Sequence, residues 1–439
     1  MTTAQWTGRL AAGIALALLS APAPAQYGGQ RGRDSEEPRI VARVKPHEWT
    51  LTTRVNVRLD QFARDANGMP LTTGFKFDTV SVIFPLIPET ASSISAPIEP
   101  VEGVERYRPY IKGRLMLNDA TVNERPEVLS NYAAGARLGK WTHRDWSGKE
   151  MTLEVTLPVT AYQTTFDEKL AMAAGWPDAW PEPAASCMQP QYWIDLDPAK
   201  GPYDMTPIKE FVRRATNGKD PKSVPPAMLA KVLAGEVLRA VNPSAGDGLN
   251  FNRTGELEGI DLKGAPQTLL DGRGSEFDMA CVLVAAYRAA GLPARTVIGY
   301  DVGEGKTGNR FLGKSGSAEL RAWVEFPLLD KDSKIVWVPV DVVRMRKSGS
   351  RPKPIAQRWP FFGEHDELDR VIPFAFQFHP PTTVVAYGSP AFWGWLVTPK
   401  PPDRVMQTVR FGAITTPTTA EEQKRRREEE RQRQGGGRK

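Results

Sequence analysis

The chain has 439 residues, 41% of them hydrophobic and 25% charged, an ordinary globular balance with room for two or three domains. Its formal net charge of +6 sits mostly at the ends, where Arg9 adds one unit and the stretch Glu421 to Lys439 holds eight basic and five acidic residues. The near-neutral body excludes an electrostatic nucleic-acid binder, and the two cysteines, Cys187 and Cys281, exclude a disulfide framework and a Cys-x-x-Cys metal site.

In chain order, the first element is an apolar run, Leu10 to Leu19, behind Arg9 and ahead of an Ala-x-Ala site at Ala23 to Ala25. That is the layout of a secretory signal peptide over residues 1–25, and its apolar run is too short to anchor the chain in a bilayer. An exported protein is expected, periplasmic or secreted, without a transmembrane anchor. Residues 26–39 have no apolar periodicity and read as a flexible lead-in. From Trp49 to Leu59 apolar residues alternate with polar ones, and the alternation returns at Met151, Leu153, Val155 and Leu157. Period two marks strands with one buried face. With the shorter runs SVIFPLI and GRLMLND, it predicts a β-rich N-terminal domain over 40–199, antiparallel and sandwich-like.

The period changes further on. Met228, Leu229, Val232, Leu233, Val237 and Leu238 recur at helical spacing between Pro225-Pro226 and Asn242-Pro243. Next comes GRGSEFDMACVLVAAYRAAGLPARTVIGYD, Gly272 to Asp301. Ser275 is placed to cap a helix with Asp278 as its capping-box partner. The uncharged run Met279 to Tyr287 predicts burial on nearly every side, and Gly291 with Pro293 ends the helix. WVEFPLL and KIVWVPVDVV then read as strands around the polar hairpin DKDSK. Helices followed by strands predict an α+β domain over 200–350. Residues 351–417 form a Pro- and Trp-rich extension with strands at VVAYG and VMQTVRFG, and 418–439 is a mixed-charge tail expected to be disordered.

A buried helix whose N-terminus opens near solvent is a platform for a nucleophile. AAGLPARTVIGY behind such a helix, then RAWVEF (Arg321 to Phe326), then WVPVD (Trp337 to Asp341) together resemble the transglutaminase-like superfamily, whose fold is related to the papain-type thiol proteases. The resemblance covers about residues 200–345, including GAPQTLLDGRG ahead of the helix. It implies an α+β fold, a transglutaminase-like (papain-like) core preceded by an antiparallel β domain. It also implies a Cys at the helix N-terminus, a His in the second motif and an Asp ending the third. Here the Cys position falls on Glu276, or on Ser275 if the turn differs by one residue. The His position falls on Arg321, and Asp341 matches.

Glutamate is a poor acyl acceptor, and guanidinium does not release its proton near neutral pH. The resemblance therefore implies a catalytically inactive member that holds a polypeptide in the former substrate cleft or scaffolds at the cell envelope, with no cofactor and no metal. An ion-pair cluster with Arg321 bridging Glu276 and Asp341 is expected in place of the catalytic groups. The alternative is an active exported amidase, peptidase or cross-linking acyltransferase using Cys281 or Ser275. Cys281 lies five residues past Glu276, turned about 140° from it, which favours a core residue. His47 and His143 fall in the β domain, and His379 precedes Pro380-Pro381; His365, in GEHDELD, follows Asp341 by 24 residues and is expected at the surface, with folding back over the site as the alternative. HDELD lacks the glycine and ligand pattern of a calcium loop. A Cys187–Cys281 bridge remains open. Trp323 and Trp337 are expected in the core, while Trp393 and Trp395 share one face of a strand, buried at an interface or exposed as a binding ledge.

Overall fold

Period-two patterning becomes structure in the long first strand, β1 (Val41–Leu59). It buries Trp49, Leu51, Thr53, Val55 and Val57 and turns Arg54 and Arg58 to solvent. The computed structural model describes residues 38–60, 64, 68–69, 74–98, 110–243, 248–303, 310–311, 319–349, 352–379, 392–402 and 405–415. The expected leader, the VVAYG strand and the charged tail lie outside the described residues. After β1 come β2 (Phe75–Pro85), β3 (Lys112–Leu117), β4 (Leu138–Gly148) and β5 (Glu150–Phe166). β5 pairs antiparallel with β1, setting Leu157 opposite Leu51 and Leu153 opposite Val55, and with β3 on its other side. β2 and β4 pair in a second sheet. Trp141 of β4 is fully buried and donates its indole N–H to the Gly113 carbonyl of β3 at 3.1 Å, so the two sheets share one apolar interior.

Helices α1 (Thr206–Ala215) and α2 (Pro226–Ala240) lead to α3 (Glu276–Ala289), which is buried from Phe277 to Arg288. The expected capping box is formed: Ser275 Oγ accepts from the Asp278 amide at 3.1 Å, and Asp278 accepts from the Ser275 amide at 2.9 Å. Gly291, with φ of +79°, supplies the left-handed stop. Then follow β6 (Arg295–Asp301), β7 (Glu319–Leu329) and β8 (Ile335–Val340). The expected strand does not run through Asp341 to Val343. Asp341 caps a short helix, α4 (Val342–Lys347), by accepting the Arg344 amide at 2.8 Å. With β9 (Val371–Ala375) these strands make an antiparallel sheet in the order β8–β7–β6–β9, and α3 packs on β7. The fold class is α+β.

The chain then returns to where it began. β10 (Gly394–Thr398) pairs with β2, and β11 (Val405–Thr415) pairs with β1 along its length. C-terminal residues thus complete both sheets of the N-terminal β structure, and Arg39–Lys439 form one compact unit. Trp393 and Trp395 are buried; Trp395 meets Phe75 and Phe77 edge-on and donates to Gln407 at 3.0 Å, so these indoles are packing and not an exposed ledge. Cys187 and Cys281 are both buried free thiols, which closes the question of a bridge. Among the described residues no helix is long and apolar enough to cross a membrane.

Candidate functional site

Arg321 projects from β7 into a buried cluster of charges. Its Nη2 donates to Asp341 at 2.6 Å, and its Nη1 donates to Asp301 at 2.8 Å and to Glu367 at 3.0 Å. Asp301 is the last residue of β6, beside β7, and Asp341 follows the last residue of β8, so the sheet itself delivers both carboxylates to Arg321. Arg344 of α4 reaches Glu367 at 2.9 Å and Asp301 at 3.2 Å, and Arg370 reaches Glu367 at 3.2 Å and Asp301 at 3.5 Å. Three guanidiniums thus face three carboxylates, and the cluster is neutral as a whole. His365 completes it, with Nε2 3.2 Å from Asp341 and 3.3 Å from Arg321 Nη2.

Burial alone would raise the Asp341 carboxyl, but Arg321 and His365 outweigh it and hold that group far below the usual carboxylate range. Burial likewise works against the charge on Arg321, and Asp341 with Asp301 more than restores it, so its guanidinium holds its proton more tightly than usual. For His365 burial wins over the attraction of Asp341 and lowers its pKa, leaving a neutral ring. The Glu367 amide donates to His365 Nδ1 at 3.3 Å. Nδ1 must then be the acceptor, and Nε2–H points to Asp341. Both ring nitrogens are engaged inside the cluster.

Of the five residues singled out from sequence, the structure brings Arg321 and Asp341 together as expected. It corrects their third partner: Asp301 and Glu367 are the other carboxylates on Arg321, whereas Glu276 pairs with Lys347 of α4 at 2.8 Å near the surface. Glu276, Arg321 and Asp341 do line one pocket, with Phe277, Leu320, Ala322, Val343, Arg344 and Lys347, but its volume is only about 10 Å³. That is room for roughly one water. Ser275 Oγ is held by Asp278, 3.0 Å from its carboxylate. Cys281 is fully buried, and desolvation pushes its thiol well above the usual range. Among the described residues no group of three or more His, Cys, Asp or Glu is arranged to hold a metal ion.

His365 is the largest correction. Expected at the surface, it is 1% exposed and sits on Asp341. The segment Trp359 to His365 lies between two strand ends. His365 exchanges backbone hydrogen bonds with Thr164 at 3.0 and 3.1 Å, Phe361 O accepts the Asp341 amide at 2.9 Å, and Gly363 N donates to Pro339 at 2.7 Å. Gly363 has φ of +74°, and a Cβ there would stand 2.3 Å from the Phe166 ring, so only glycine admits this path. Asp301, Glu367, Arg344 and Arg370 escaped the sequence reading. Asp301 could have been noticed as the carboxylate that ends the buried strand RTVIGYD, and HDELDR as charges of both signs near a buried arginine.

Residues 246–342 match the family model of the transglutaminase-like superfamily. They are a transglutaminase-like core. The match spans α3, β6, β7, β8 and Asp341, and so includes Asp301, Arg321 and Asp341 of the cluster, while Arg344, His365, Glu367 and Arg370 lie beyond it. No curated protein matches the chain. Among solved structures, it is similar to a "Putative Cysteine Protease" from Cytophaga hutchinsonii, at 10% identity and a TM-score of 0.46, over 86% of this chain and 94% of that one. It is also similar to a "putative protease" from Parabacteroides distasonis, at 12% identity and a TM-score of 0.21, over 67% of this chain and 60% of that one.

Proposed function

We propose that the protein is an exported, non-catalytic member of the transglutaminase-like superfamily that binds or scaffolds a polypeptide at the cell envelope. In this reading Glu276 and Arg321 stand where the superfamily has its Cys and His, and Asp341 stands where it has its Asp. The observation that carries it is the state of Arg321, a charged guanidinium donating to Asp301, Asp341 and Glu367. It offers no proton acceptor beside Asp341. His365 does not replace it, because its ring nitrogens already meet Asp341 and the Glu367 amide. Ser275 is committed to the capping box and Cys281 to the interior of α3. A pocket of about 10 Å³ takes no substrate side chain, so a polypeptide lies across its mouth, on Glu276 and Lys347.

The test is an acyl-transfer assay, hydroxamate formation from a glutamine-containing peptide at pH 7, run beside a thiol-reactive probe on the native protein. No turnover and no labelling are expected. Turnover that disappears in Cys281→Ala or Ser275→Ala sinks the reading in favour of an active acyltransferase or amidase. Export is checked separately by fractionating cells and sequencing the mature N-terminus, with cleavage after Ala25 expected. Retention of uncleaved chain in the cytoplasm contradicts it.

A further inference from the structure

A second pocket, of about 360 Å³, opens in the segment that carries His365 and is lined by Lys353, Arg358, Pro360, Phe361, Glu364 and Asp366. Its volume falls at the lower end of small-ligand sites, about 300–1,000 Å³. None of these six residues lines the pocket at Glu276, Arg321 and Asp341. Arg358 and Glu364 pair with each other. Lys353 and Asp366 are exposed, and among the described residues neither has an ion-pair partner. The pocket therefore presents one uncommitted charge of each sign beside the apolar surfaces of Pro360 and Phe361. Its frame is rigid. Phe361 holds φ of +63°, which is costly for a bulky residue. Its carbonyl accepts the Asp341 amide at 2.9 Å, and its ring meets His365 edge-on at 4.9 Å. On the other side, the fully buried Lys231 donates to the carbonyls of Ile355 and Gln357 at 2.8 and 2.7 Å. A site built this way is preorganised, and little ordering cost opposes binding.

We propose that this pocket binds a short zwitterionic peptide, two or three residues long with both termini free. The terminal ammonium meets Asp366, the terminal carboxylate meets Lys353, and an apolar side chain lies on Phe361 and Pro360. A ligand with a single charge leaves one of the two side chains unanswered, and an extended chain lacks the second terminus.

Calorimetric titration of the full-length protein with alanyl-leucine tests this. Saturable binding is expected with Kd at or below about 1 mM. N-acetylation or C-terminal amidation of the dipeptide, and Asp366→Ala or Lys353→Ala, should each weaken binding about fivefold or more. Acetylation should have no further effect in Asp366→Ala, nor amidation in Lys353→Ala. Both variants alter exposed side chains, and unchanged thermal unfolding verifies their fold. The His365 imidazole resonance, identified with His365→Gln, should shift on binding because Phe361 touches both the ligand and the ring. No saturation up to about 10 mM, binding indifferent to both variants and both blocked termini, or binding without a His365 shift overturns the proposal. This outcome is separable from the reading of the Arg321 site. Catalysis there would leave the peptide site standing, and a failed titration would leave the non-catalytic reading standing.

Discussion

Replacing Arg321 with methionine probes the centre of the cluster. The substitution keeps apolar length and removes donors to Asp301, Asp341 and Glu367. The three carboxylates do not suffer equally. Asp301 keeps Arg344 at 3.2 Å, and Glu367 keeps Arg344 at 2.9 Å and Arg370 at 3.2 Å. Asp341, 1% exposed, is left with a neutral His365 and one backbone amide. Removing one partner of a buried pair costs about 3–5 kcal/mol, and the spare arginines place this case at about 3–4 kcal/mol. Unfolding entropy of about 2.1 cal/mol/K per residue, taken over the compact unit of about 400 residues, converts that to a Tm lowered by about 4–5 °C. The assay is calorimetric unfolding of wild type, Arg321→Met, Asp341→Asn and the double variant. Because asparagine still accepts the Arg344 amide, Arg321→Met with Asp341→Asn should recover at least about half of the loss. The single variant's deficit should also shrink in acid, since burial without a counter-charge raises the pKa of the stranded carboxylate and lets it take up a proton as the pH falls. A Tm change below about 1 °C, or a double variant as unstable as the sum of the singles, refutes the view that Arg321 neutralises Asp341.

His365→Gln should alter the pH dependence of stability. The folded state lowers the His365 pKa below its ordinary 6.5, so the unfolded chain binds the extra proton first and wild-type stability declines as pH falls below that value. Asp341, Arg321, Glu367 and the Phe361 ring face this imidazole. Unfolding measured from pH 7 to about pH 5 should have a shallower slope in the variant, and an unchanged slope contradicts a buried neutral His365. Glu276→Gln should lower stability by less than about 1 kcal/mol, because its partner Lys347 is solvent-exposed over 42% of its side chain. A loss as large as that of Arg321→Met would place Glu276 in the buried cluster. Without reductant, neither thiol should react with a maleimide in native protein, and both Cys187 and Cys281 should react in denaturant. Thiols silent in denaturant would mean a bridge.

Much of the site was legible because it is local. The capping box at Ser275 and Asp278, the uncharged buried face of α3 and the Gly291 stop all follow from residues a few positions apart, whose backbone chemistry does not depend on the rest of the chain. The order of the three motifs, with Arg321 in the second and Asp341 ending the third, was enough to set those two residues side by side. The identity of the other carboxylates was not legible. A helix N-terminus and a strand residue can be assigned to neighbouring positions from sequence, yet Glu276 points to Lys347 and Arg321 to Asp301. Rotamer direction and burial decide between such partners, and neither is encoded in spacing.

Sequence by itself determined the α+β class, the long alternating strands and the capped, buried helix α3, because periodicity and capping act within a few residues. Tertiary structure alone decided what closes the site. His365 reaches Asp341 because Thr164 and Pro339 fix the backbone of a segment far from either in sequence, and because Gly363 lets that segment pass Phe166. The final strands β10 and β11 likewise find β2 and β1 across most of the chain. Such pairings are set by the register of backbone donors and acceptors and by the shape of a common core, which exist only once the chain has folded.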